Sequence, residues 1–406
     1  MGRIATGLIA ACLLTVAGRA ADVTPAVQRG HDQTARPQLT EADGGPIDLS
    51  VVYTFDVWRN ASGGRRRGWR YLDNLDVILA VDAERAFGWN GTTIFIYGLY
   101  NNGSSLTDEL VGDLQTVSNI DAGAQAARLY EAWVEQRFAS DRASVKVGLY
   151  DLNSEFDTNN SNALFINSSH GIGPDLSQTG RNGPSIFPVT ALAVRADYRL
   201  GDAWLVRAAV LDGVPGNPDR PKRTAIRLGD GDGALLVSEV EYRDSSMKAA
   251  AGYWRYTARF DDLATGRARR GNDGVYVMVE RRLMREGDSD QGLSGWLRLG
   301  FADSGHNVIT RFYGAGLVRT GAILNRDEDQ FGIAVAWAEI SAPYRRVMRN
   351  AGTPAVRNEV NIEITYRAAL TPWLIVQPDL QYTINPGADP ARRNAKSLGV
   401  RFEFGF

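Results

Sequence analysis

Apolar and polar residues alternate one by one along most of this chain, the pattern of an extended strand whose successive side chains point to opposite faces. From 397 to 406, Leu398, Val400, Phe402, Phe404 and Phe406 fall on one side, and Gly399, Arg401, Glu403 and Gly405 on the other. Ile47, Leu49, Val51, Tyr53, Phe55 and Val57 likewise oppose Asp48, Ser50, Thr54 and Asp56, with Trp58 closing the run. Leu75, Val77, Leu79 and Val81 face away from Asn74, Asp76, Asp82 and Glu84. Later come Leu192 to Tyr198 against Arg195 and Asp197, Phe331 to Trp337 against a row of Gly and Ala, and Val360 to Tyr366 against Glu359, Asn361, Glu363 and Arg367. About sixteen such runs can be counted, an even number as a closed antiparallel barrel in a bacterial envelope requires. The alternation is faintest around 247–256 and 308–317.

Charges of both signs occupy the polar face of nearly every run. A soluble sandwich buries its apolar faces against each other. Here the ionic faces must meet instead, across a water-filled lumen that sixteen strands are wide enough to enclose. The connections alternate too. Tight turns at 87–90, 139–142, 200–202, 243–246 and 370–372 are interleaved with long loops at 101–125, 151–188, 213–233 and 258–272. The stretch 284–292 is a longer turn than the others. Short turns on the periplasmic side and long loops outside are the arrangement of an outer-membrane barrel. Trp58, Trp89, Trp204 and Trp373, near the ends of runs, are expected at the lipid headgroups.

Composition narrows the picture. The 406 residues carry a formal net charge of -2, which gives no drive to bind nucleic acid. Arg65, Arg66 and Arg67, like Arg269 and Arg270, sit beside glycine and read as loop charges. Residues 1–20, with Arg3 ahead of an apolar centre and small residues at Gly18, Ala20 and Ala21, have the form of a cleavable export signal. Residues 21–46 read as a mobile segment and 47–406 as the barrel. Cys12 is the one cysteine, so the exported chain has neither a disulfide framework nor a thiolate metal site. The only histidines are His31, His170 and His306, too few and too scattered to suggest catalysis or zinc, and no cofactor is expected. The glycine-rich run 228–233 lacks the flanking helices and final glutamate of a calcium loop and reads as a turn.

Five segments carry a family resemblance. They are 128–136 (RLYEAWVEQ), 147–157 (VGLYDLNSEFD), 183–188 (GPSIFP), 111–120 (VGDLQTVSNI), and Thr365-Tyr366-Arg367 with Thr371-Pro372-Trp373-Leu374 and Gln377 to Tyr382. Together they resemble the OprB-type carbohydrate-selective porins from about Ile47 to the terminus. The resemblance implies an all-β transmembrane antiparallel barrel of sixteen strands, loops folded inward to constrict the bore, and passive diffusion of small carbohydrates across the outer membrane. No enzymatic activity is expected. A general or ion-selective porin is the alternative within the membrane, and a secreted glycan-binding β protein the alternative outside it.

A sugar path needs planar polar groups to exchange hydrogen bonds with hydroxyls and aromatic faces for the apolar side of the ring. Arg128, Glu131, Trp133, Glu135 and Arg137 supply that mixture on one strand, with Tyr130, Ala132, Val134 and Phe138 expected to face lipid. Lys146 points inward from the next strand, and Asp151, Asn153, Glu155 and Asp157 lead into the long loop. These ten residues are the candidate constriction, although the same charges could equally brace the wall as salt bridges. The other expected partners are outer-membrane lipid and lipopolysaccharide, and the barrel-assembly machinery acting on the strand that ends in Phe406. The barrel is expected to work alone or as a homotrimer.

Overall fold

The computed structural model describes residues 45–287, 291–321, 323 and 326–406. The expected signal, and all but the last residues of the amino-terminal segment, lie outside the described residues. Among the described residues eighteen strands follow one another. The first half comprises β1 (Ile47–Ser62), β2 (Gly68–Asp82), β3 (Thr92–Gly103), β4 (Ala126–Phe138), β5 (Ala143–Tyr150), β6 (Ala191–Leu200), β7 (Trp204–Asp212), β8 (Ala234–Arg243) and β9 (Met247–Tyr256). Next come β10 (Phe260–Asp261), β11 (Ala268–Arg269), β12 (Asp273–Arg285), β13 (Gly292–Ala302), β14 (Ile309–Thr320), β15 (Gln330–Ile340), β16 (Asn358–Thr371), β17 (Leu374–Ile384) and β18 (Ala395–Gly405). The small pair β10 and β11 forms a hairpin of its own, and the other sixteen close into one antiparallel barrel in which β18 returns to pair with β1.

The alternation read from the sequence is the alternation of the wall. On β18, Ser397, Arg401 and Glu403 are buried inside, while Leu398 and the terminal Phe406 are exposed outside. The seam is closed by a direct cross-strand ion pair. Asp56 and Arg401 face each other in register, with Arg401 Nε 2.7 Å from Asp56 Oδ1 and both side chains buried. A single-layer wall with Leu49, Val77, Val147, Val194, Val210 and Leu380 all exposed on its outside would associate in water. Against acyl chains the same surface needs no cover.

Two placements differ from those expected. Trp58 shares the inward parity of Asp56 and is 1% exposed, in a cluster with Leu72, Leu106, Leu110 and Val117. It belongs to the lumen, whereas Trp89, Trp204 and Trp373 are more than half exposed or nearly so, at 57%, 50% and 52%. Tyr130, expected outside, is buried inside. The register of β3 and β4 shifts between Tyr97 and Gly98, which pair with Glu131 and Leu129, and the extra residue is Tyr130. That bulge is what lets Arg128 and Glu131, of opposite parity, both face inward.

The two faint strands, β9 and β14, have a physical reason to be faint. Their inward positions include Gly252, Gly314 and Gly316, over which Tyr276 and Trp296 of neighbouring strands lie. Their other inward residues include the aromatic Trp254, Tyr256 and Phe312 and the small or apolar Ala250 and Val318, beside the charged Lys248. Apolar packing, on β9 against the folded loop, takes the place of most of the expected charges.

Candidate functional site

Two of the long loops enter the barrel instead of standing on its rim. In the loop between β3 and β4, residues 104–125, the amides of Leu114 and Gln115 donate to Glu359 on β16 at 2.9 and 3.0 Å. Ser118 Oγ donates to Asp56 at 2.7 Å, and Gln381 Nε2 on β17 donates to the Val117 carbonyl at 2.8 Å. The loop between β5 and β6, residues 151–190, crosses further. The amide of Asp157 donates to Glu239 on β8 at 2.9 Å, and those of Asn160 and Ser161 to Glu280 on β12 at 2.9 and 2.8 Å. The amides of Ile166 and Asn167 reach Glu363 on β16 at 2.6 and 3.0 Å. The two loops also bond to each other, Asn119 N to Ile166 O at 2.8 Å and Ser168 N to Thr116 O at 3.0 Å. A polypeptide bridge therefore spans the bore from β5 to β16.

A buried charge triad fixes the middle of the bridge. Arg298 on β13 binds Asp157 through Nε and Nη2 at 2.7 and 2.6 Å and Asp175 through Nη1 at 2.6 Å. All three side chains are almost fully buried. A guanidinium matches two carboxylates in this forked way where an ammonium could not. Asn153 ties the loop to itself, its Nδ2 donating to the carbonyls of Phe156, Asp157 and Gly171 at 3.1 to 3.3 Å.

A second network stands where β4, β5 and β6 meet the loop. Glu155 accepts from Lys146 Nζ at 2.7 Å, Tyr150 OH at 2.6 Å and Arg195 Nε at 2.7 Å. Arg195 also reaches Glu135 at 2.8 Å and Asp197 at 3.0 Å. Asp151 accepts from Tyr130 OH at 2.7 Å, and its own amide donates to Glu131 at 3.0 Å. Trp133 is 5% exposed, stacked on Phe95 at 4.7 Å, with the Lys146 ammonium 4.0 Å from its ring. It is part of the wall and presents little ring surface to a solute. Close approach there depends on Gly148, whose φ is +147° and whose hypothetical Cβ would lie 2.1 Å from the Ala132 carbonyl oxygen. Arg128 donates to Asn101 at 3.2 Å and to the Pro221 carbonyl at 2.6 Å, so it holds the 213–233 loop.

Eight of the ten candidate residues thus fall in, or next to, the two networks, and Arg128 anchors a third loop beside them. Arg137 stands apart, exposed at the turn end of β4. What the alternation does not reveal is the other side of each bond. Glu239, Glu280, Glu359, Glu363 and Arg298 carry the loops, and each appears in the sequence merely as one more lumen charge. His170 is buried beside Phe165 and Trp296. Burial pushes its imidazole down to about 3, so it is neutral next to Glu363. Burial also pushes the Asp113 carboxyl up to about 7. Among the described residues no group of three or more His, Cys, Asp or Glu side chains could hold a metal ion.

A sixteen-stranded barrel crossed by two polar loops is the geometry of a constricted diffusion channel. The profile of the carbohydrate-selective porins, OprB family, matches residues 66–406. The chain belongs to this family. It is an outer-membrane sugar porin and not an enzyme. Porin B of Pseudomonas aeruginosa is 24% identical over 403 residues, covering 88% of this chain and 87% of that protein. The high pH structure of Pseudomonas putida OprB superimposes with a TM-score of 0.80 at 22% identity, over 89% of this chain and 94% of that one. Its low pH structure gives 0.59 at 18% identity, over 89% and 93%. At these identities the structural likeness speaks for the fold of this OprB-family porin, and its particular residues must be argued from their own contacts.

Proposed function

We propose that the two folded loops are the selective constriction of this porin, and that sugars pass alongside them through the polar lumen. The observation that carries this reading is the hydrogen-bonded bridge from β5 to β16. Where the longer loop meets β4, β5 and β6, Glu135, Asp197 and the loop's own Glu155 keep part of their carboxylates exposed, at 11%, 19% and 13%, and the buried Lys146 and Arg195 hold them in place. A sugar hydroxyl exchanging water for such groups neither gains nor loses much, which permits entry and release. Transport is then passive and limited by fit, with mono- and small oligosaccharides as the substrates. In the same reading the long loops face outside, the short turns and Phe406 face the periplasm, and residues 1–20 are removed on export. Lipid and lipopolysaccharide cover the apolar wall, and the assembly machinery engages β18.

Single-channel conductance in a planar bilayer with sugar titrated in tests the reading. A current that falls stepwise and saturates with sugar is expected. Current unchanged at high sugar but selective among salts would replace it with an ion-selective porin.

A further inference from the structure

We propose that the rim of the wall formed by β18, β1 and β2, at the end bearing the long loops, is a docking face for phosphorylated glycolipid headgroups of the outer leaflet. This rests on the orientation proposed above. Trp69, Arg59 and Leu398 stand in one row across the three strands. All three are exposed on the outward face. The Arg59 guanidinium lies 5.3 Å from the centre of the Trp69 ring. Two residues from Leu398 on the same face of β18 is Lys396, exposed and without an ion pair among the described residues. The turn joining β1 to β2 adds Arg65, Arg66 and Arg67, all exposed. Among the described residues only Arg66 of these finds a carboxylate, Glu109 at 3.4 Å, and Arg70 shares that same group.

The distribution is one-sided. On the outward faces of β1 and β18 no acidic residue occurs. The outward carboxylate of β2, Asp73, is 8% exposed and accepts from Asn102 at 3.3 Å. Directly below the cations the wall is apolar, with Val57, Phe55, Val400 and Phe402 on the same face. A belt of arginine and lysine with an indole, in which Arg59, Arg65, Arg67 and Lys396 have no ion pair among the described residues, sits on an acyl-facing surface and fits a ligand that carries phosphate above and hydrocarbon below. Arginine can take a phosphate bidentately, and tryptophan suits the headgroup boundary. A free anion would have no use for the apolar part.

The full-length protein in detergent, titrated with doubly phosphorylated lipid A and followed by native mass spectrometry, tests this. The triple variant Arg59→Ala/Arg67→Ala/Lys396→Ala is expected to bind about 100-fold more weakly. Removing both phosphates from lipid A should weaken binding to the wild type by a similar factor. The variant Arg85→Ala/Arg142→Ala, at the turn end of the barrel, should bind as the wild type does. Single-channel conductance and heat-dependent gel mobility establish that each variant is folded. Equal binding of dephosphorylated lipid A, or full displacement by inorganic phosphate at millimolar concentration, would overturn the proposal in favour of hydrophobic or generic anion binding. An Arg67→Cys variant labelled on intact cells by an impermeant maleimide supports the orientation. Failure to label would overturn that orientation, and with it the assignment to this leaflet, even where binding in detergent is tight.

Discussion

Arg298 is the residue on which the folded loop turns. Its guanidinium is buried between Asp157 and Asp175, so deleting it leaves two carboxylates without water or counter-charge. Breaking a buried pair in this way costs about 3–5 kcal/mol. Arg298→Ala is therefore expected to free the middle of the bridge, seen as a lower unfolding temperature and a noisier, larger single-channel current. Arg298→Lys should recover little of either, because an ammonium cannot serve both carboxylates at once. Asp113 makes a different prediction. Burial, with Asp108, Asp121 and Glu359 as like charges nearby, raises its carboxyl from 3.8 to about 7. Between about pH 4 and pH 7 the folded loop holds a proton that the unfolded chain has released. The stability linked to this group is complete below about pH 4 and is lost as pH rises through about 7. The unfolding midpoint of the wild type should drop between pH 5 and pH 9 by more than that of Asp113→Asn.

At the level of elements, the inward face of β15 is a seat. Gly332, Ala334, Ala336 and Ala338 line it, and Leu164, Phe165 and Trp296 pack with Ala334. A Cβ on Gly332 would already lie 2.6 Å from Leu164 Cδ2. Ala334→Phe is expected to lift the 151–190 loop off this wall, with loss of sugar block in conductance measurements while the barrel itself still forms. The row of small residues was plain in the sequence as the polar-side partner of Phe331 to Trp337. Its purpose was not, because small residues signal only that something approaches, and what approaches comes from more than 160 positions earlier in the chain. The same limit applies throughout. Strands are local and repetitive, so period two reveals them. The acceptors Glu239, Glu280, Glu359 and Glu363 act on loops far away in sequence, and no spacing rule connects them. Tyr130 faces the lumen against its expected side for a related reason, since a bulge changes parity without changing composition.

For the whole molecule, closure depends on the meeting of first and last strands. Asp56 and Arg401 are buried and bidentate at that seam, with bonds of 2.7 and 2.9 Å. Arg401→Met alone should destabilise the barrel by about 3–5 kcal/mol, while Asp56→Leu with Arg401→Met should restore most of that loss. Heat-dependent gel mobility of the two single variants and the double variant measures the coupling. A channel must also keep its constriction while its substrate preference changes over evolutionary time. Here the wall glutamates grip main-chain amides, a feature that every residue except proline shares. These amide moorings read no side chain, and an exposed residue such as Asn160 can be exchanged without loosening the bond that holds it. New sugar preferences can be grafted onto an old anchorage.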